Sequence, residues 1–409
     1  MTELVRKFPH PADFSAPPSA ADLARWKEAD AVARPVRVAG LRRRLSTAGI
    51  DAYFGVRPEH MRYLTGFALD DGEDRVAGNS GRFLISGDQI VVLADSRYRL
   101  QAGAEAAGAR VVDVSYELAE TWAGLVASLG ARRVGVEAGH VSHQEWAALA
   151  AAAPDVELIP VSGWVEAARA IKEPAEIERI RAACAVADRA LAAIVRRIKP
   201  GSKERDLALA LEWEMRTGGA NGLAFGIACL AGPNAALPHG SPSGREARLG
   251  EVLLFDFGAL VDGYRSDMTR TLFVGEPDDR NAALYDIVAA AQAATISLMR
   301  SAVGGTAPIP SGRAGDAAAR QVIEAAGYGK QFGHGTGHGI GLATHEAPSL
   351  SRVATEDPLP SPTVFSVEPG IYIDGETGIR IEDLVLFDAP NGKLEILTAF
   401  PRDAIVVGV

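Results

Sequence analysis

Three of the chain's eight histidines fall in one short run, FGHGTGHGIGLATHEAP, residues 332–348. Glycine fills every second position from Gly333 to Gly341. His334 and His338 are spaced i, i+4, which would suit a metal pair on a helix. Interior glycines, however, each cost a helix about 1 kcal/mol. The run is therefore expected to be a loop or an irregular strand. Its glycines would let backbone come close to a ligand or to another segment. It would form the floor under a site and project imidazoles from fixed points.

Four acids complete the chemistry. Asp256 ends the apolar run VLLF, and Asp267 follows eleven positions later. Glu368 follows VFSV, and Glu382 lies fourteen positions on. An acid with apolar flanks on a strand points its carboxylate inward, where an unpaired charge is costly and tends to protonate. A single acid beside a turn usually faces water. Four placed symmetrically argue for convergence, and converging carboxylates repel. Two divalent cations would neutralise them. Oxygen-rich ligation with one imidazole suits Mn(II), Co(II) or Zn(II) rather than a cysteine-type structural zinc. Two ions about 3.5–4 Å apart would acidify a shared water and supply hydroxide near neutral pH.

These acids need a duplicated frame, and the second half of the chain has one. Helices at 174–199 and 203–217 lead to strands around Leu254 and Leu272; helices at 281–302 and 314–326 lead to strands around Phe365 and Ile381. The hairpins VLLFDFGALVDGYRSDMTRTLFV and VFSVEPGIYIDGETGIRIEDLVLF share an acid after the first apolar run, an Asp-Gly turn and a returning acid. The order of elements repeats even though residue identity is weak. The clearest helix begins at Pro174, a residue suited to the first turn. It carries Ile177, Ile180, Cys184, Ala187, Leu191, Ile194 and Ile198 on one face.

Upstream, strands and helices alternate. VAGLRRRLSTAG reads as a helix, IDAYFGV as a strand, and RFLISGDQIVVLAD as a hairpin turning at Gly87-Asp88. Further helices are expected near 100–107 and 118–129, strands at ARVVDV and RRVGVE, and a closing helix and strand between His143 and Pro160. That is an α/β domain. Residues 1–35 read as an arm or short helices, and DDGEDRVAGNSG (70–81) as an acidic, flexible loop. The expected division is an α/β domain over 1–170 and a catalytic domain over 171–409.

At 409 residues, 47% hydrophobic and 23% charged, the chain has the composition of a soluble globular protein. A net charge of −10 argues against nucleic-acid partners. Two cysteines, Cys184 and Cys229, build neither a disulfide framework nor a cysteine zinc site. They fit a reducing, cytoplasmic setting. The start lacks a signal-peptide core, and no membrane span is expected.

Taken together, these motifs resemble the pita-bread metallopeptidases, specifically the Xaa-Pro aminopeptidase and prolidase group. MRYLTGF (61–67) and ADSRYRLQA (94–102) resemble its amino-terminal, creatinase-like α/β domain. IKEPAEIERIR, LPHG, FDFGALVDGYRSDMTRT, GHGTGHGIGLATHEAP, SVEPGIY and GIRIED resemble its catalytic domain, an α+β fold with an internal pseudo-two-fold repeat.

The resemblance implies metal ligands at Asp256, Asp267, His338, Glu368 and Glu382, with Asp267 and Glu382 bridging two ions. Asp256 would complete one ion; His338 and Glu368 would complete the other. Manganese is the expected metal, with cobalt or zinc as alternatives. Glu368 would shuttle the proton from water to the leaving amine. His239 and His345 would line the scissile bond, His345 donating to the carbonyl oxygen. His334 would position substrate. Arg380 would sit beside the bridging carboxylate, near substrate. Thr269 is weighed as a donor to the ligand set and as a structural residue. His10, His60, His140 and His143 are assigned to surface or packing.

The implied activity is removal of an amino-terminal residue from peptides with proline second, in a homodimer or homotetramer. The alternative is a prolidase restricted to dipeptides; more distant is a catalytically silent binding module of the same fold.

Overall fold

The strand Ala52–Gly55 is buried along its whole length and receives a neighbour on each side. Its six-stranded sheet runs, edge to edge, 110–113, 90–94, 83–86, 52–55, 133–137 and 157–161. The hairpin around Gly87-Asp88 is antiparallel, and the strand 133–137 lies parallel to both of its neighbours. Helices 99–105, 118–128 and 143–152 connect the parallel strands, as the alternating pattern requires. Phe54 meets Trp122 edge-on at 5.0 Å in a core that also holds Leu84, Leu93, Val134 and Leu149.

The computed structural model describes residues 4–69, 78–114, 117–305 and 307–408. Most of the acidic segment 70–81 therefore lies outside the described residues. Two compact units emerge, Ala24–Ala168 and the described residues up to Leu23 with Arg169 onward. This corrects the expected 1–170 and 171–409 division at the start of the chain. Leu4–Val5 adds a parallel strand to Ala404–Val407, and Phe14 stacks on Phe400, so the arm groups with the carboxy-terminal unit. The helix expected to begin at Val38 in fact spans Ala20–Ala48 and runs through Pro35.

The carboxy-terminal unit contains two five-stranded sheets. One runs 4–5, 404–407, 268–274, 252–257, 228–231; the other runs 346–350, 337–339, 363–367, 383–388, 393–396. The duplicated hairpins lie at matching places. Strand 252–257 pairs antiparallel with 268–274, and 363–367 with 383–388. Each is interrupted by a small ribbon, 259–261 with 264–265 in the first and 370–373 with 377–380 in the second. In the first ribbon the turn residues Asp262 (φ 44°) and Gly263 (φ 78°) are both left-handed, which a two-residue hairpin demands.

Helix 279–303 is long and apolar enough, by length and composition, to cross a membrane. Its Leu284, Tyr285, Val288 and Ala291 are instead packed into the core with Leu254, Phe273, Ile371 and Ile379.

Candidate metal centre and active site

Interrupted strands bring the acids together. Asp256 sits on strand 252–257 opposite Thr269, and Asp267 immediately precedes strand 268–274. Glu368 follows strand 363–367, and Glu382 occupies the break between 377–380 and 383–388. His338 is the middle residue of strand 337–339. One ligand atom each of Asp267, His338 and Glu382 lies within 4.8 Å of the others. His338 Nε2 is 3.7 Å from Asp267 Oδ2 and 3.2 Å from Glu368 Oε1.

The glycine run is a strand with irregular flanks, and two of its glycines have a steric reason. A Cβ on Gly337 would stand 1.9 Å from the Ser366 carbonyl oxygen, and one on Gly339 would stand 2.2 Å from that of Ala347. The neighbouring backbones leave no room for a side chain. Ser366 also ties the segment to the acids. It accepts from the His338 N–H at 3.0 Å and donates to Glu368 Oε1 at 2.9 Å.

All nine residues expected at the site line one pocket of about 420 Å³: Asp256, Asp267, His338, Glu368, Glu382, His239, His334, His345 and Arg380. His239 and His345 are exposed at its mouth. The rings of His338 and His345 are 4.2 Å apart, centroid to centroid.

Arg380 and Thr269 knit the set. Arg380 donates to Asp256 Oδ2 at 2.5 Å, to the Thr269 hydroxyl at 2.8 Å and to the Tyr372 hydroxyl at 2.7 Å. Thr269 donates onward to Glu382 Oε2 at 2.8 Å. His334 Nδ1 faces the Gly335 carbonyl at 2.7 Å, and its Nε2 faces the Tyr372 hydroxyl at 2.9 Å. That pattern assigns the proton to Nδ1, with Tyr372 donating to Nε2.

Burial and the three neighbouring carboxylates push Asp267 well above the usual carboxylate range. Burial, with Glu368 and Asp256 beside it, does the same to Glu382. Asp256 is also raised, burial outweighing the opposing Arg380. Burial works against Glu368 as well, but the hydrogen bond and charge of His338 bring it down to about 2. Burial alone would lower His338; Glu368 raises it to about 9.

A divalent metal fits this donor set. Buried Asp256 Oδ1 and Glu382 Oε1 have no hydrogen-bond partner among the described residues. His338 Nδ1 faces the Gly339 carbonyl at 3.1 Å, which turns Nε2 towards Asp267 and Glu368. A ligating imidazole is commonly oriented this way by the hydrogen bond on its other nitrogen.

Residues 178–389 match the model of "Metallopeptidase family M24", and 37–171 match the "Creatinase/Prolidase N-terminal domain". This chain belongs to metallopeptidase family M24. It is an M24 peptidase with a creatinase-type domain ahead of a pita-bread catalytic domain, and the family implies divalent metals. The M24 chain is 39% identical over 225 residues to the Xaa-Pro dipeptidase of Pyrococcus furiosus, covering 55% of this chain and 62% of that protein. It superposes on the Xaa-Pro dipeptidase from Bacillus anthracis with a TM-score of 0.81 and 35% identity, covering 91% of this chain and 100% of that one. An X-Pro aminopeptidase from Thermotoga maritima gives a TM-score of 0.79 and 34% identity, covering 90% and 99%.

Sequence reasoning missed several supporting residues of the M24 site. Tyr372 lay within the SVEPGIY motif, unremarked, yet it bridges His334 and Arg380. The buried pair Asp316 and Arg320 holds the floor strand. Asp316 accepts from the Thr336 N–H at 3.0 Å, and Arg320 donates to the His334 carbonyl at 2.7 Å. Their i, i+4 spacing on helix 312–325 was the only available signal, and such pairs are usually exposed.

Proposed function

We propose that this chain is an Xaa-Pro dipeptidase, cleaving the bond between an amino-terminal residue and a following proline. The observation that carries the reading is the convergence of four carboxylates and His338 in one pocket with three further histidines at its walls. Among the relatives, the dipeptidase names outweigh the aminopeptidase expected from sequence. When bound, divalent cations on Asp256, Asp267, His338, Glu368 and Glu382 would activate water and polarise the scissile carbonyl. Manganese remains our proposal for the metal.

An Xaa-Pro bond is a tertiary amide, so its nitrogen offers no N–H and must gain a proton to leave. Glu368, oriented by the Ser366 hydroxyl at 2.9 Å, is the carboxylate placed to accept the proton from the attacking water. It then passes that proton to the proline nitrogen. Partial desolvation against the pocket wall, with His338 beside it, keeps His345 below its ordinary value. As a neutral imidazole it donates to the carbonyl oxygen as charge grows there. His239 stands across the mouth and guides the proline ring, while His334 is oriented by Tyr372 to meet the substrate.

One observation favours a second reading, the Xaa-Pro aminopeptidase. The pocket shares His334, Gly335 and Ser351 with an adjoining groove of about 990 Å³, which also presents Lys330 and Arg352. Residues beyond proline would have room there. Hydrolysis of Ala-Pro, Ala-Pro-Ala and Ala-Ala, measured side by side on metal-loaded protein, separates the two. Turnover of Ala-Pro alone supports the dipeptidase; efficient Ala-Pro-Ala cleavage supports the aminopeptidase; preference for Ala-Ala contradicts both. We also propose a cytoplasmic enzyme acting as a homo-oligomer, testable by light scattering.

A further inference from the structure

A buried ion cluster sits directly behind His345. Glu346, the next residue, begins strand 346–350. His345, in the bend just before the strand, lines the pocket, while the Glu346 side chain turns inward. Its carboxylate meets Lys172 Nζ at 2.9 Å through Oε1, and Arg169 through Oε2. The Glu346, Lys172 and Arg169 side chains are only 4%, 1% and 2% exposed.

The cluster is built into the histidine's own loop. Glu346 Oε2 accepts from the Ala343 N–H at 3.2 Å, closing the turn that carries His345. A Cβ on Gly341 would meet Glu346 Oε1 at 2.6 Å, so glycine there leaves the space that the carboxylate fills. Thr344 donates to the Ala224 carbonyl at 3.1 Å, fixing the outer side of the same loop. Lys172 is held as firmly. Its ammonium donates to the Arg169 carbonyl at 2.7 Å, and its backbone N–H donates to the Pro362 carbonyl at 2.8 Å. Pro362 directly precedes strand 363–367, which ends next to Glu368. One lysine thus ties the His345 loop to the strand that delivers Glu368.

Two cations buried against one carboxylate make a poor device for stability alone, because desolvation opposes much of the attraction. We propose that Glu346, gripped by Lys172 and Arg169, is a positioning residue that sets His345 at a fixed place relative to Glu368. The proposal rests on the role given to His345 in the proposed function. Lys172 and Arg169 act through Glu346, and none of the three touches the reacting atoms.

The test is a double-mutant cycle on metal-loaded, full-length protein. Lys172→Met and Glu346→Gln are each made in the natural background and in His345→Ala. Lys172→Met keeps the Arg169–Glu346 contact, so it decides the matter if Glu346→Gln does not fold. The expected result in the natural background is a fall in kcat of about ten- to hundredfold, with KM changed less than about threefold and metal content unchanged. In the His345→Ala background the further fall is under about threefold. Equal losses in both backgrounds, or an unchanged kcat in the natural one, would overturn the proposal while leaving the role of His345 standing. If His345→Ala itself leaves kcat untouched, the role of His345 falls and the positioning proposal falls with it.

Discussion

Thr269 donates its hydroxyl to Glu382 Oε2 at 2.8 Å, while Oε1 of the same buried carboxylate has no hydrogen-bond partner among the described residues. One oxygen of Glu382 is held by Thr269, and the other, which nothing among the described residues meets, suits a cation. Arg380 completes the arrangement by donating to the same threonine hydroxyl. Thr269→Val should therefore weaken metal binding by about 10–100-fold, with Thr269→Ser recovering most of the loss. Calorimetric titration of metal-free protein with Mn2+ checks this. Equal affinity for Thr269→Val would show that the hydroxyl does not orient Glu382.

Metal uptake should depend on pH with a defined sign. In the metal-free protein, His338 is raised to about 9 and holds a proton that a cation must displace. Asp267 and Glu382, both raised well above the usual range, add to that proton load. Apparent affinity should climb as pH rises from 6 to 8, by about tenfold per unit for each proton displaced. Potentiometric titration counts the protons released, and a pH-independent affinity would contradict the scheme. The metal-free fold obeys the matching linkage. The His338 contribution is fully present below its unfolded value and is lost as pH rises through about 9. The Glu368 contribution is present above its unfolded value and is lost as pH falls through about 2.

In the amino-terminal unit, Glu137 is the hub of a buried network. It pairs with His60 at 2.6 Å and accepts from the Tyr53 hydroxyl at 2.5 Å and the Val56 N–H at 2.7 Å. Burial opposes its ionisation, but His60 and these donors hold it below the usual carboxylate value. Its stabilising contribution should be present above the unfolded value and be lost as pH falls through the lower folded one. Glu137→Ala should cost about 3 kcal/mol or more at pH 7, since it leaves the Tyr53 hydroxyl, the Val56 N–H and His60 without their shared buried acceptor. Urea melts at pH 7 and at acidic pH read the difference. A penalty that grows on acidification would refute the assignment.

Gly337→Ala should damage the site without touching any ligand. The added methyl would stand 1.9 Å from the Ser366 carbonyl oxygen, so the floor strand must move. Overpacking of this kind costs about 1–3 kcal/mol, and the displacement would carry His338 with it. Lower melting temperature together with lower metal affinity is the expected pair of results. Full metal affinity would mean that the strand tolerates the shift.

Much of the catalytic frame was legible because its signals are local. The acids after VLLF and VFSV, the Asp-Gly turns and the alternating glycines each have a short-range physical meaning, and the structure places the acids in one pocket with Gly335 and Gly337. The helix 20–48 was read only from Val38 because Pro35 suggests a break and the exposed Val32 and Val36 blur its apolar stripe. Buried cations were the hardest to read. Arg169, Lys172 and Arg270 belong to residue types that normally face water, and their partners Glu346 and Asp383 are distant in sequence. His60 was assigned to surface or packing; it is fully buried, and its pairing with Glu137 could not be seen from spacing alone.

The central claim is that Asp256, Asp267, His338, Glu368 and Glu382 together hold the divalent metal on which Xaa-Pro cleavage depends. The most direct measurement is elemental analysis of metal-free protein reloaded with Mn2+, with Ala-Pro hydrolysis assayed on the same samples. Uptake of two ions per chain is predicted, with activity rising alongside occupancy. Asp267→Asn and His338→Ala should lose both together. Undiminished hydrolysis by metal-free protein, or full metal content and activity in both variants, would contradict the account.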